Sequence, residues 1–252
     1  MKNIFAATVV ATLFASAATA QSLTFGVDTE YTNVDGAGTT DVTVSVAGSI
    51  VTGVGAVIGG VDYDVDADVR GEFYVGVDTG GVVLTYGDQG DVFGFGGGLN
   101  TVTGTVLSSP TQAERNLNID GIYGVSATVG LNTGTDVQNV QLVGAIEGIA
   151  VGVDYNLDTT DYVLGASYSV DVQGATVGGI VTYAETTDAF AAELNAGIDA
   201  FSGFVTADAD GLDVMGVGYN RDVAENASLY VEGARNLNTD VNTIATGISF
   251  SF

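Results

Sequence analysis

Cysteine and histidine are both absent from this 252-residue chain. Without cysteine there is neither a disulfide framework nor a thiolate metal site. Without histidine the commonest zinc ligand, the commonest general base and every nucleophilic triad built on imidazole are gone as well. Tryptophan is missing too, and proline occurs once, at Pro110. Basic residues are scarce: five Lys and Arg stand against 31 Asp and Glu, for a net charge of −26. Phosphate recognition depends on Lys and Arg, so a nucleic-acid partner is excluded. Beyond its first residues the chain also lacks any apolar run that would cross a bilayer as a helix, which takes about 20 residues. Yet 46% of the residues are hydrophobic and mean hydropathy is positive, which argues against disorder in spite of the charge.

Residues 1–20 read as a signal peptide. Met1, Lys2 and Asn3 form a charged start, Ile4 to Phe14 an apolar stretch, and Ala15 to Ala20 a small-residue end in which Ala18-Thr19-Ala20 fits an A-x-A cleavage site. Cleavage there predicts an exported mature chain, 21–252, read as a single domain because no break in composition divides it. Removal of Lys2 leaves Arg70, Arg115, Arg221 and Arg235 as its only cations.

One pattern fills the rest. In Ser22-Leu23-Thr24-Phe25-Gly26-Val27-Asp28-Thr29-Glu30-Tyr31 the odd positions carry Leu, Phe, Val and Tyr and the even ones Ser, Thr, Asp and Glu, a period of two that specifies a strand. Asp41 to Val46 repeats it in the opposite phase, with turn residues Asn33 to Gly38 between. Val69 to Val75, Ile149 to Tyr155 and Tyr162 to Tyr168 repeat it again. Such segments number about sixteen, with twelve or fourteen as alternatives, at the spacing of roughly 10 residues plus a turn that a membrane barrel requires. Pro110, which cannot sit in a paired central strand, falls in the longest connection.

Alternation alone fits a soluble sandwich as well as a barrel in lipid, and two features choose the barrel. Aromatic residues gather near expected strand ends, at Tyr31, Phe73, Tyr155, Tyr168, Tyr183, Phe201 and Phe252, as interfacial girdles do. The carboxyl end, Ile244 to Phe252, alternates and finishes on an aromatic. This terminus resembles that of outer-membrane barrels, whose assembly machinery reads such an ending; the resemblance implies Phe250 and Phe252 as the assembly signal.

The middle of the chain resembles the general porins of Gram-negative bacteria. Arg70-Gly71-Glu72-Phe73-Tyr74-Val75-Gly76-Val77 is similar to that family's aromatic-Val-Gly strand, Asp78 to Gly81 to its turn, and Val82 to Tyr86 to its return strand. Gly87 precedes a long connection from about Asp88 to Arg115, and Asn116 to Leu131 is similar to the hairpin that follows. The resemblance implies an all-β, up-and-down transmembrane barrel of sixteen strands with a loop folded inward as a constriction, a homotrimer in the outer membrane, and passage of small hydrophilic solutes. The chain departs from the family in the Arg-rich wall facing that loop, reduced here to Arg70.

Strand phase locates the candidate pore residues. With Val69, Phe73, Val75 and Val77 toward lipid, Arg70 and Glu72 are expected inside, because a charge facing lipid at the midplane costs about 2–4 kcal/mol. Asp28, Glu30, Asp154 and Glu193 are expected inside or at a mouth. Asp88, Asp91 and Glu114, with Arg115, are expected to face Arg70 across the constriction. The excess of carboxylates predicts a channel favouring cations. No cofactor and no catalytic residue is expected. Asp62, Asp64, Asp66 and Asp68 alternate as in a calcium loop but lack its central Gly and its distal Glu, and a solvated acidic loop explains them as well. A structural or adhesive barrel without a pore is the alternative function, and a soluble exported β-solenoid a more distant one.

Overall fold

The computed structural model describes residues 20–53, 55–65, 67, 69–89, 93, 95, 99, 115–132 and 136–251. Its elements are β1 (Ala20–Val34), β2 (Ala37–Thr52), β3 (Gly55–Asp64), β4 (Val69–Asp78), β5 (Val83–Asp88), β6 (Arg115–Ile122), β7 (Val125–Leu131), β8 (Val137–Ile146), β9 (Ile149–Asn156), β10 (Tyr162–Val172), β11 (Ala175–Ala184), β12 (Ala189–Ile198), β13 (Phe201–Asp208), β14 (Gly211–Ala224), β15 (Ala227–Asn236) and β16 (Asn242–Ser251). Each strand pairs antiparallel with its sequence neighbours, and β1 also pairs with β16, so sixteen strands close into one up-and-down barrel. At one end the hairpins turn tightly: Glu147-Gly148 and Gln173-Gly174 both have positive φ, the geometry whose twist suits a two-residue hairpin. Wider connections, among them the one between β5 and β6, lie at the other end.

The barrel is apolar outside and polar inside. Val75, Leu142, Leu164, Leu194, Phe201 and Val217 are exposed, whereas Thr128, Asn139, Asp154, Thr182 and Thr206 are buried. Period-two alternation produces this, because the register sets like faces opposite one another around the wall: Gln141 pairs with Asp154 on the inner face and Leu142 with Val153 on the outer. Outer aromatics gather toward the rims. Tyr162 and Tyr183 lie with ring centroids 6.4 Å apart near one rim, and Phe201 and Tyr219 5.0 Å apart near the other. Among the described residues no helix is long and apolar enough to cross a membrane; the strands present the apolar surface instead.

Closure carries a side-chain tie as well as the backbone ladder from Gly26↔Ser251 to Val34↔Thr243. Tyr230, on the inner face of β15, lies across β16 and donates its hydroxyl to Glu30 Oε2 on β1 at 3.0 Å. It passes over Gly247, where a Cβ would collide with the tyrosine ring and hydroxyl. Three adjacent strands are thus held by one buried aromatic. Tyr230→Phe removes the donor, and Gly247→Ala displaces the ring from Glu30. Each is expected to lower stability by about 1–3 kcal/mol, read as a lower temperature for loss of the fast-migrating folded band in gel electrophoresis. Wild-type behaviour in both variants would show that the tie contributes nothing to closure.

Candidate functional site

The inner wall formed by β1 to β4 is acidic. Asp28 and Glu30 on β1, Asp41 on β2 and Asp62 on β3 line a recess of about 350 Å³ that also includes Thr43 and Ser45. Register puts them on one face: Asp28 opposite Thr43, Glu30 opposite Asp41, and Ser45 opposite Asp62. Glu72 and Tyr74 continue this face on β4; Tyr74 pairs with Gly60, across which its ring lies. Asp62 and Asp64 therefore belong to a strand rather than to a calcium loop, and Asp66 and Asp68 lie outside the described residues. Among the described residues no cluster of three or more acidic side chains is placed to hold a metal ion.

Arg70 does not share the face of Glu72. The β3–β4 register shifts between Val61↔Phe73 and Tyr63↔Arg70, so Gly71 and Glu72 together oppose Asp62 as a bulge, and the phase reverses across it. Arg70 consequently joins Phe73 on the outer side, its guanidinium 4.1 Å from the ring centroid, a cation–π contact. The expectation of a lumenal Arg70 rested on unbroken alternation, which the bulge interrupts. Asp88 pairs with Phe73 and Arg115 with Leu131, so these two also fall in the outer phase, at the rim where the chain leaves β5 and enters β6. Of the expected constriction charges Glu72 alone lies on the inner wall; Asp91 and Glu114 lie outside the described residues, as does Phe252. Phe250 is on the outer face of β16, between Val27 and Ala227.

The remaining arginines follow the same rule. Arg221 pairs with Leu229 and Arg235 with Met215, both in the outer phase near strand ends, and Arg235 donates to Asp240 at 2.7 Å. These four arginines and Lys2 are all the basic residues of the sequence, and among the described residues no basic side chain lines the barrel interior.

The opposite inner wall, β8 to β14, is covered from within. The chain leaving β5 brings Phe93 and Phe95, ring centroids 4.8 Å apart, onto Val163 and Ala184. Phe95 packs over Gly152 and Gly165, where a Cβ would stand 2.5 Å from its ring. Leu99 then packs with Phe204 and Val214. Phe93, Phe95 and Leu99, the described residues of this stretch, therefore lie inside the barrel and reach strands on its far side. Beside these contacts lie the buried carboxylates Asp154, Glu193, Asp213 and Glu232. Asp154 accepts from Asn139 Nδ2 and Gln141 Nε2, both at 2.9 Å.

Sequence reasoning located Asp28, Glu30, Asp154 and Glu193 correctly from strand phase. It passed over Asp41 and the aromatic anchors of the inward segment. The alternation of phenylalanine with glycine in Phe93-Gly94-Phe95-Gly96, unusual in a solvated loop, was the signal available for the anchors.

No protein-family model and no curated protein matches this sequence. Solved structures do match it in fold. A loop-deletion mutant of OmpT, an outer membrane protein of Vibrio cholerae, is similar with a TM-score of 0.67 at 13% identity, over 92% of this chain and 98% of that one. In-vitro folded OmpT gives 0.63 at 12%, over 92% and 97%. An engineered variant of the Rh. blastica porin gives 0.65 at 13%, over 92% and 99%. The fold is that of the outer-membrane porins.

Spin labels attached to single cysteines test the phase on β4. With the barrel in vesicles, the Glu72→Cys label should be accessible to a water-soluble nickel relaxant and the Val75→Cys label to oxygen dissolved in lipid, while Arg70→Cys should report the outer interface. A label at 70 as shielded from lipid as the one at 72 would refute the bulge and restore unbroken alternation.

Proposed function

We propose that this protein is a passive outer-membrane channel that admits small hydrophilic solutes and favours cations, and that it acts without a chemical step. The observation that carries the reading is the interior: carboxylates line it on β1 to β4, and every arginine is on the outer face. In a narrow aqueous path with low-dielectric walls such charge raises the local concentration of cations and opposes anion entry. The porin fold of the similar solved structures supports the same reading. By the usual asymmetry of such barrels, the tight turns face the periplasm and the wider connections face out. The reading includes residues 1–20 as a cleaved signal peptide, Phe250 and Phe252 as the signal to the barrel-assembly machinery, and a homotrimer as the assembled form.

The acidic wall, not the rim charges, then sets selectivity. Screening confines each carboxylate to about 10 Å at 0.1 M salt, so those lining the open recess dominate. In planar bilayers, a KCl gradient should give a cation-selective reversal potential that weakens at molar salt. Neutralising Asp28, Asp62 and Glu72 together should reduce it further, whereas Asp88→Asn at the rim should leave it close to wild type. Anion selectivity would refute the electrostatic reading, and a folded barrel without conductance would favour a structural or adhesive role.

The assembly signal is tested separately. Deleting Phe252 should leave export across the inner membrane intact but abolish the heat-modifiable, membrane-inserted form. Normal insertion of the deletion variant would remove the terminal aromatic from the proposal.

A further inference from the structure

The outer face of β13 to β16 carries a recess of about 680 Å³. Register arranges its residues in rows. Gly233 stands between Ile244 and Val217, and Val217 stands between Gly233 and Gly203. Because neither glycine has a side chain, Val217 is left as a ridge, 69% exposed, and a trough runs over Gly233. The walls of the trough, on β14 and β16, are two strand spacings apart, about 10 Å, which leaves room for a slender chain rather than for the face of another barrel. In the row nearer the tight turns, Val231 lies beside Tyr219, whose ring packs on Phe201 with centroids 5.0 Å apart. In the row at the rim of the wider connections, Arg235 stands between Met215 and Asn242. From Arg235 to Val231 the trough extends about 13 Å along β15.

The head of the trough is cationic in a chain with few cations. Arg70, Arg115 and Arg235 are three of its four arginines, and all three stand in the outer phase at this one rim. Arg70 lies on the ring of Phe73, whereas Arg235 lines the trough. Its guanidinium donates to Asp240 in a pair whose side chains are 51% and 78% exposed, and an exposed pair of this kind holds weakly. Among the described residues its other N–H donors have no partner. We propose that the trough binds one anionic lipid of the surrounding membrane, with an acyl chain over Gly233 and a head-group phosphate on Arg235. The planar fork of a guanidinium matches two phosphate oxygens, and cations at a membrane rim are drawn to anionic head groups. A neutral lipid fills the trough but leaves the guanidinium to Asp240. A soluble phosphate meets the guanidinium but leaves the trough empty. The site rests on the barrel's place in a membrane; it lies outside the wall, apart from the acidic recess on β1 to β4, and does not depend on conduction.

The test is native mass spectrometry of the folded barrel, delipidated in neutral detergent and then given phosphatidylglycerol, diacylglycerol with the same chains, or glycerol phosphate in separate arms. One spectrum reads bound lipid and oligomer together. The wild-type barrel should retain phosphatidylglycerol in preference to diacylglycerol and should retain no glycerol phosphate. Arg235→Gln should weaken that retention by about tenfold. Gly233→Leu should do the same by filling the trough with the guanidinium in place; a Cβ at 233 meets nothing nearer than 3.9 Å, so the wall accepts it. Asp240→Asn, and Arg221→Gln at the opposite rim, should retain the lipid at least as well as wild type. Folding of each variant is checked by its heat-modifiable migration. Equal retention of the two lipids, binding of glycerol phosphate alone, or retention that survives both trough variants overturns the proposal. So does a loss in Arg221→Gln as large as in Arg235→Gln, which would reduce the effect to net charge. A Gly233→Leu barrel that dissociates from an oligomer without releasing lipid would assign the trough to a second copy and also overturn it. A barrel that conducts with cation selectivity but retains no lipid would remove this site and leave the channel reading intact.

Discussion

Every strand of this protein must find two neighbours, because a backbone amide or carbonyl facing hydrocarbon has no water to satisfy it. The pairing of β1 with β16 meets that condition, and the other features follow from it. A closed wall with lipid outside demands apolar side chains there, so alternation sends the polar residues inward. The result inverts a soluble protein: Leu194 and Val217 are exposed while Asp154 and Thr206 are buried. The same condition explains where the few cations lie. Arg70, Arg115, Arg221 and Arg235 are outward in phase but near strand ends, where a long side chain can reach the polar interface.

Packing inside the barrel repeats one device. Tyr230 lies over Gly247, Phe95 over Gly165 and Phe204 over Gly216, each ring occupying space that a Cβ on the neighbouring strand would fill. A large side chain on a curved inner wall needs a small neighbour, and glycine provides the flat place beside it. Through Tyr230 the device ties the closing seam; through Phe95 it seats an aromatic from beyond β5 against β9 and β10. The frequency of glycine within strands, which weakens a soluble sheet, has a steric use here.

The interior is divided as a consequence. The wall from β1 to β4 keeps its carboxylates around an open recess, whereas the wall from β8 to β14 has polar groups buried beside the inward phenylalanines. Carboxylates on the first wall face open space, where salt screens their field. Those on the second act within a low-dielectric environment, where each must be compensated by hydrogen bonds or by a counter-charge. Asp154, held by two amides, belongs to the second kind and Asp62 to the first, though nothing in their sequence neighbourhoods separates them.

The sequence by itself determined the class of fold and the face of most residues. Period-two alternation fixes which side chains share a wall, and the interval from Asp88 to Arg115 marked the connection at the bounds where β5 ends and β6 begins. Asp28, Glu30, Asp154 and Glu193 were legible as inward from phase alone. The tertiary structure decided what phase cannot carry. One bulge at Gly71 and Glu72 turned Arg70 from the lumen to the surface of Phe73, because a single extra residue reverses every side chain beyond it. It also decided which distant strands receive Phe93, Phe95 and Leu99, and that Tyr230 meets Glu30 across β16. These contacts join residues far apart in the chain, and they depend on how many strands the wall contains and where it closes, which no local pattern records.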